Sequence, residues 1–563
     1  MRFIRTCLPL LLISSAGFAQ LTQDQRESDF LHLAGIFAKN YGPYEWKRDT
    51  QNFDLLNAGP WLERVRNAKS DLDFYEVMVE YVASLNDAHD VYTLPTDFVA
   101  RLNFSTDIYD GKVLVDSINR TRLPATEFPF RIGYELVSID GVAVEDLLKQ
   151  FAKYAVAANP RSTRRIAAAY LTSRFQQLMP HAVELGDVAR VVMRRPDGNT
   201  ESYGIPWTKV GLPLVNNGPV PTPGGSGAAI RGARIQGDDW RSTLRRFQRV
   251  AVSRRPDTVI GYGARTPIYT PPAGFEQRLG RVTTDVFFSG TFRAGGYRIG
   301  LLRIPDYEPA DVNAALDQYI NEIAYMQANT DGLIIDEMRN PGGYVDLANI
   351  YLQLLMPTNF RVIGFELRAT SEWILSISSA LEDAKAQGAP DNVIALYGQI
   401  LKEIQEANAS NRGRTGPLPL DDVTLDREPL VDSRGRVFAY TKPIMMLVDE
   451  LSASGGDAFP AMFQDNKRGI VFGYRTMGAG GNVIGLNAGR YSEGFTTLTA
   501  SLMNRGHDIV TPEYPAAPYV ENIGVRPDIE VDYMTVDNLT QGGRPYVDAF
   551  VAAMIQHIQG GRQ

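Results

Sequence analysis

The sequence predicts a multidomain α/β protein, with an N-terminal helical bundle, a β-rich middle domain and an α/β core built on a mostly parallel sheet. Three observations predict it. At 563 residues the chain exceeds what one hydrophobic core supports. Apolar residues recur at helical spacing up to about residue 100 and alternate over short runs from there to 207. From 296 onward, apolar runs of strand length alternate with helical segments, as in βαβ units.

The chain opens with Arg2 and Arg5, an apolar run over 7–13, and small residues ending in Gly17 and Ala19. This is the pattern of a secretory signal peptide cleaved near Ala19, which implies a periplasmic or secreted protein. The only cysteine, Cys7, lies inside it, so the mature chain is expected to hold no disulfide and no cysteine metal site; no metal or cofactor is expected. No other apolar run approaches about 18 residues, so no membrane span is expected. The net charge of −8 gives no electrostatic support for nucleic-acid binding.

Phe30, Leu33, Ala34 and Phe37, and later Phe74, Val77, Met78 and Tyr81, share helix faces. The bundle ends in the polar loop Leu85-Asn86-Asp87-Ala88-His89-Asp90. His89 is one of only five histidines; a loop histidine is a candidate base, and equally an ordinary surface residue. Over 101–207 the run Gly133, Leu136, Ile139, Asp140, Gly141 resembles the strand-and-turn signature of PDZ domains, which take extended peptides by strand addition. Residues 208–295 begin rich in Gly and Pro, carry a basic stretch over 241–255, and read as a linker.

In the core, the strand at 332–336 runs into Arg339-Asn340-Pro341-Gly342-Gly343, where adjacent glycines expose N–H groups. A second strand at 444–448 leads to Ser452-Ala453-Ser454-Gly455-Gly456 and then a helical segment. Strand, small-residue turn and helix together lift a serine hydroxyl out of the backbone, as a nucleophile elbow does; a helix N-cap serine is the plainer reading. Pro460 falls early in that helix and requires a start near Gly456.

Three segments, 333–343, 452–481 and 524–531, resemble in order and spacing the tail-specific protease family, peptidase family S41, and its tricorn-like branch. The resemblance implies a ClpP/crotonase-like α/β protease core. It implies Ser454 as nucleophile and the amides of Gly343 (or Gly342) and Gly455 as oxyanion hole. The general-base lysine of Ser–Lys relatives would fall 25 residues after the nucleophile, where this chain has Ala479. Tricorn-like relatives use a histidine and a glutamate instead, matched here by His89 and Glu521. The serine that links those two in tricorn protease is Ala88 here, so either Glu521 reaches His89 directly or through water, or Asp87 or Asp90 does the orienting. Lys442 and Lys467 stand off the family's spacing.

The boundaries expected are a signal peptide over 1–19, a helical domain over 20–100 and a PDZ-like domain over 101–207 with a helical insertion at 152–186. A linker or insertion over 208–295 follows, then the protease core over 296–540, interrupted at 366–440, and a C-terminal helix or tail over 541–563. The implied activity is a serine endopeptidase cleaving polypeptides, some near their C-termini, with peptides or unfolded proteins as partners and a homo-oligomer compatible with the family. The alternatives are an inactive binding protein on the same fold and a PDZ-based peptide scaffold.

Overall fold

A computed structural model describes residues 20–214, 261–411 and 413–560. The expected signal peptide and the basic stretch at 241–255 lie outside the described residues. Four helices open the chain: α1 (Gln23–Asn40), α2 (Tyr44–Gln51), α3 (Gly59–Asn67) and α4 (Asp71–Ala83). Capping boxes at Thr22 and Ser70 satisfy the first N–H groups of α1 and α4 and fix where each begins.

The PDZ-like sheet orders its strands as Phe104–Tyr109, Lys112–Ile118, Glu135–Ile139, Val188–Arg194 and Thr200–Pro206, all antiparallel. Asp140 and Gly141, both at positive φ (51° and 81°), close the two-residue hairpin to Val142–Ala143. Two helices belong to this region, α5 (Val144–Phe151) and α6 (Pro160–Tyr170). The domain extends past both expected boundaries, because Val99–Arg101 pairs with Thr208–Val210 on one side and Ser173–Phe175 on the other.

The core sheet has seven strands in the order Glu276–Leu279, Phe288–Ala294, Tyr297–Arg303, Gly332–Asp336, Ile444–Val448, Ile470–Gly473 and Ile529–Glu530. The last five run parallel. Gly332–Asp336 and Ile444–Val448 are wholly buried, as central parallel strands covered on both faces must be. The sheet begins at 276, not at 296 as the sequence suggests. Gly295 and Gly296, both at positive φ, are not a boundary but the tight turn of a hairpin joining two core strands.

Helices α7 (Val312–Asn329) and α8 (Val345–Gln353) pack on this sheet. The segment expected as an insertion holds the helical hairpin α9 (Ser371–Ala386) and α10 (Asp391–Ala409), after a strand, Gly364–Arg368, that pairs with Ser501–Ile509. After α11 (Gly455–Asp465) and the short α12 (Val536–Thr540), the terminal helix α13 (Arg544–Gly560) is part of the core. Its Phe550, Met554 and Ile558 cluster with Ile299, Leu301, Ile334 and Met445 of the sheet.

Candidate active site

Strand register creates the site. Asp336 pairs with Leu447, Leu447 with Phe472 and Val448 with Gly473, so three parallel strands end at one level. Their three following loops emerge side by side, at the carboxyl edge where open α/β sheets place ligands. Residues 337–343, 449–454 and 474–480 are these loops.

Ser454 ends the middle loop at φ 59°, ψ −113°, a conformation that a side-chain-bearing residue adopts only when its surroundings impose it. The surroundings are specific. Ala453 N donates to Asn340 O at 2.8 Å, Arg339 N to Asp449 Oδ1 at 2.8 Å, and Ser452 Oγ to Glu337 O at 2.9 Å. From the third loop, Met477 N donates to Ser452 O at 2.8 Å. The turn is stitched to both neighbours, and helix α11 starts directly after the serine. It includes Pro460, whose missing N–H forgoes the bond to Gly456.

Asp457, fully buried three residues after Ser454, holds the elbow. Its carboxylate accepts from the N–H groups of Ser454 (2.9 Å), Gly478 (2.9 Å) and Ala479 (2.9 Å), and from the Thr476 hydroxyl. Burial pushes its pKa up to about 6 against the pull of these four donors. Asp457 is absent from the residues singled out by sequence, although an acidic residue three after a helix-opening serine is the spacing of a capping box.

The glycine loop lies against the serine. A methyl on Gly342 would stand 2.7 Å from Ser454 Cβ and 2.9 Å from Ala453 O. Gly342 N–H donates to Asn340 Oδ1 at 2.8 Å and is thereby committed within its own loop. Among the described residues, no acceptor is found for the N–H of Gly343 or of Gly455. Two backbone donors on facing loops can serve an oxyanion between them.

His89 is half-buried in the loop after α4. Its backbone N–H donates to Asp87 Oδ1 at 3.0 Å and its carbonyl accepts from Thr497 Oγ at 2.6 Å. The loop joins the core through a small sheet in which Val91–Thr93 pairs with Phe495–Thr499. Asp87 also accepts from Tyr41 Oη (2.9 Å) and Thr499 Oγ (3.0 Å), while Asp90 accepts from Thr499 N–H (2.8 Å). Burial and the adjacent Asp87 hold the Asp90 carboxyl well above the usual carboxylate range.

Glu521 is fully buried, with Oε2 accepting from Gly480 N–H at 2.8 Å and Oε1 from Lys47 Nζ at 2.5 Å. Burial first, then Asp87, push its pKa up to about 7 against the pull of Lys47. Lys47 also donates to Asn86 O at 2.9 Å, so it ties Glu521 to the loop of His89. Segment 478–480, where Ser–Lys relatives would carry a base, works here through its backbone: amides 478 and 479 go to Asp457, and amide 480 goes to Glu521. Ala479 itself is buried in an apolar cluster that includes Ala88 and Ala453. Among the described residues there is no cluster of potential metal ligands, and no helix is long and apolar enough to cross a membrane.

Residues 298–531 match the model of peptidase family S41, and residues 99–211 match a PDZ domain. A protein of Chlamydia trachomatis serovar D is 24% identical over 621 residues, covering 99% of this chain and 98% of that one. The tricorn protease of Thermoplasma acidophilum is 27% identical over 266 residues, covering 46% of this chain and 17% of its own. The structure of mature CPAF complexed with lactacystin superposes with a TM-score of 0.74 at 21% identity, covering 96% of this chain and 99% of that one. That likeness is one of fold.

Proposed function

Since the chain belongs to peptidase family S41 and is a serine peptidase carrying a PDZ domain, we propose that it hydrolyses polypeptides through an acyl-enzyme on Ser454. In this reading His89 takes the Ser454 proton as the hydroxyl attacks the scissile carbonyl, and returns it to the leaving amine. Glu521 holds the imidazole's tautomer and stabilises its cationic form. The N–H groups of Gly343 and Gly455 receive the oxyanion.

The observation that carries the proposal is the strained Ser454 at a parallel-strand end, with the glycine loop against its Cβ. An N-cap serine needs neither a positive φ nor a second loop packed on its side chain. The chain acts outside the cytoplasm, and its PDZ domain presents polypeptide C-termini to the site.

Ser454→Ala and His89→Ala are expected to abolish cleavage of an unfolded protein substrate, and Ser454→Ala to abolish labelling by a fluorophosphonate. Activity retained in either variant would overturn the assignment. A wild-type protein that neither cleaves nor labels would instead favour a binding protein on this fold.

A further inference from the structure

Lys47 is the part of this site for which the proposed reaction has no use. It lies in α2, whose sequence YEWKRDTQ is mostly polar, yet its side chain is 0% exposed, as is that of Glu521. An ammonium has three N–H bonds, and three acceptors surround this one: Glu521 Oε1 at 2.5 Å, Asn522 Oδ1 at 2.7 Å and Asn86 O at 2.9 Å. With every proton committed, Lys47 has no lone pair to offer and does not stand in for the base missing at 479.

The acceptors come from two segments far apart in the chain. Two belong to the Glu521-Asn522 turn, and one to Asn86, three residues before His89. Asn522 reinforces the junction: its Nδ2 donates to Asn86 O (3.3 Å) and Ala158 O (3.0 Å), while Trp46 Nε1, beside Lys47, donates to Asn522 Oδ1 at 3.2 Å. We infer that Lys47 is a positioning residue of the peptidase site, which favours the ionised form of Glu521 and fixes its spacing to the loop of His89. The inference rests on the roles proposed above for Ser454, His89 and Glu521.

The charges facing Glu521 make the need concrete. Lys47 approaches from α2, Asp87 and Asp90 from the loop after α4, and the Tyr41 hydroxyl from the end of α1; His89 shares the loop with the two aspartates. Lys47 thus lowers the cost of charge on two buried carboxyl groups, Glu521 and Asp90, beside a third, Asp87. Without it, Glu521 loses its cationic donor while the Gly480 N–H remains, and a carboxyl among like charges in a dry site takes up a proton. A protonated Glu521 no longer stabilises an imidazolium.

The test is a double-mutant cycle of Lys47→Gln, Glu521→Gln and the pair, read as kcat/KM against pH on an unfolded protein substrate. Lys47→Gln should move the acid limb up by about 1–3 pH units, the effect of losing an opposite charge at this range. Glu521→Gln should lower kcat/KM by ~10²–10⁴-fold. If Lys47 acts through Glu521, the double variant equals Glu521→Gln within about threefold, because the cycle is then non-additive. Multiplying losses, or an acid limb that stays in place in a folded Lys47→Gln, would overturn the inference.

Should Lys47→Gln fail to fold, the double variant still decides, since it removes the buried cation and its ion-pair partner Glu521 together. Ser454→Ala and His89→Ala are assayed alongside. Activity in those variants defeats the underlying reading, whereas inactivity there with an additive cycle defeats only the role of Lys47.

Discussion

Replacing Gly342 by alanine probes the contact between the glycine loop and the serine turn. Gly342 sits at φ 95°, and positive-φ backbone costs a residue with a Cβ about 1–2 kcal/mol. The added methyl would stand 2.7 Å from Ser454 Cβ and 2.9 Å from Ala453 O, and against Gly455 N as well. None of these is the free end of a flexible side chain, so relief requires the two loops to part. Gly141→Ala supplies the control. It carries φ 81° in the PDZ-like hairpin, and a methyl there meets nothing within 4 Å. Both variants should lose about 1–2 kcal/mol in urea denaturation from the backbone term. Only Gly342→Ala should lose turnover, by ~10²–10³-fold, as when an oxyanion donor is misplaced. Turnover on an unfolded fluorescent substrate, with fluorophosphonate labelling of Ser454, reads the difference. Wild-type turnover in Gly342→Ala, or an equal loss in Gly141→Ala, would refute the placement of the oxyanion hole between these loops.

Two further outcomes follow from buried charge. Asp457 and Glu521 have pKa values raised from 3.8 and 4.5 to about 6 and about 7, with burial the largest cause in each. A carboxyl that holds its proton more tightly when folded contributes stability that is complete below its unfolded pKa and lost as pH rises through its folded one. Stability from this pair should therefore fall between about pH 4 and 7 while activity, which needs both ionised, rises. Denaturation of wild type beside Asp457→Asn and Glu521→Gln across that range checks it, and a wild-type advantage growing with pH would contradict it. Arg165, buried in α6, faces Asp107 at 2.7 Å, Glu450 at 3.2 Å and Asp449 at 3.5 Å, and so clamps the PDZ-like sheet to the loop that carries Ser454. Arg165→Met leaves these carboxylates without that partner and should cost about 3–5 kcal/mol. A loss under about 1 kcal/mol in chemical denaturation would show the clamp to be incidental.

What the sequence makes legible follows from how far each signal travels along the chain. The runs at 332–336 and 444–448 read as buried strands because a parallel strand covered on both faces must be apolar at every position. The serine turn reads as an elbow because its small residues are contiguous. The hairpin at Gly295-Gly296 misleads for the opposite reason. The strand before it, Phe288–Ala294, is buried on both faces but fills one of them with Ser289 and Thr291, so the run does not read as an apolar strand and the glycines look like a break.

Lys47 has no local signature at all. It is a cation in a polar helix, and its partners Glu521 and Asn522 lie more than 470 residues away. The same distance explains what Ala479 conceals. The sequence shows an alanine there, but not that the backbone beside it is fully employed. The amides at 478 and 479 are held by Asp457, and the next is held by Glu521. Hydrogen-bonded backbone and an apolar methyl in a buried cluster occupy that point. In the proposed reading the proton acceptor comes from outside the core, on the loop after α4 that Lys47 and Thr499 fasten. The N-terminal bundle is thereby a component of the proposed active site rather than an appendage. A truncated chain beginning after α4 would lose its base loop's anchor, and with it the reaction, even if the core still folded.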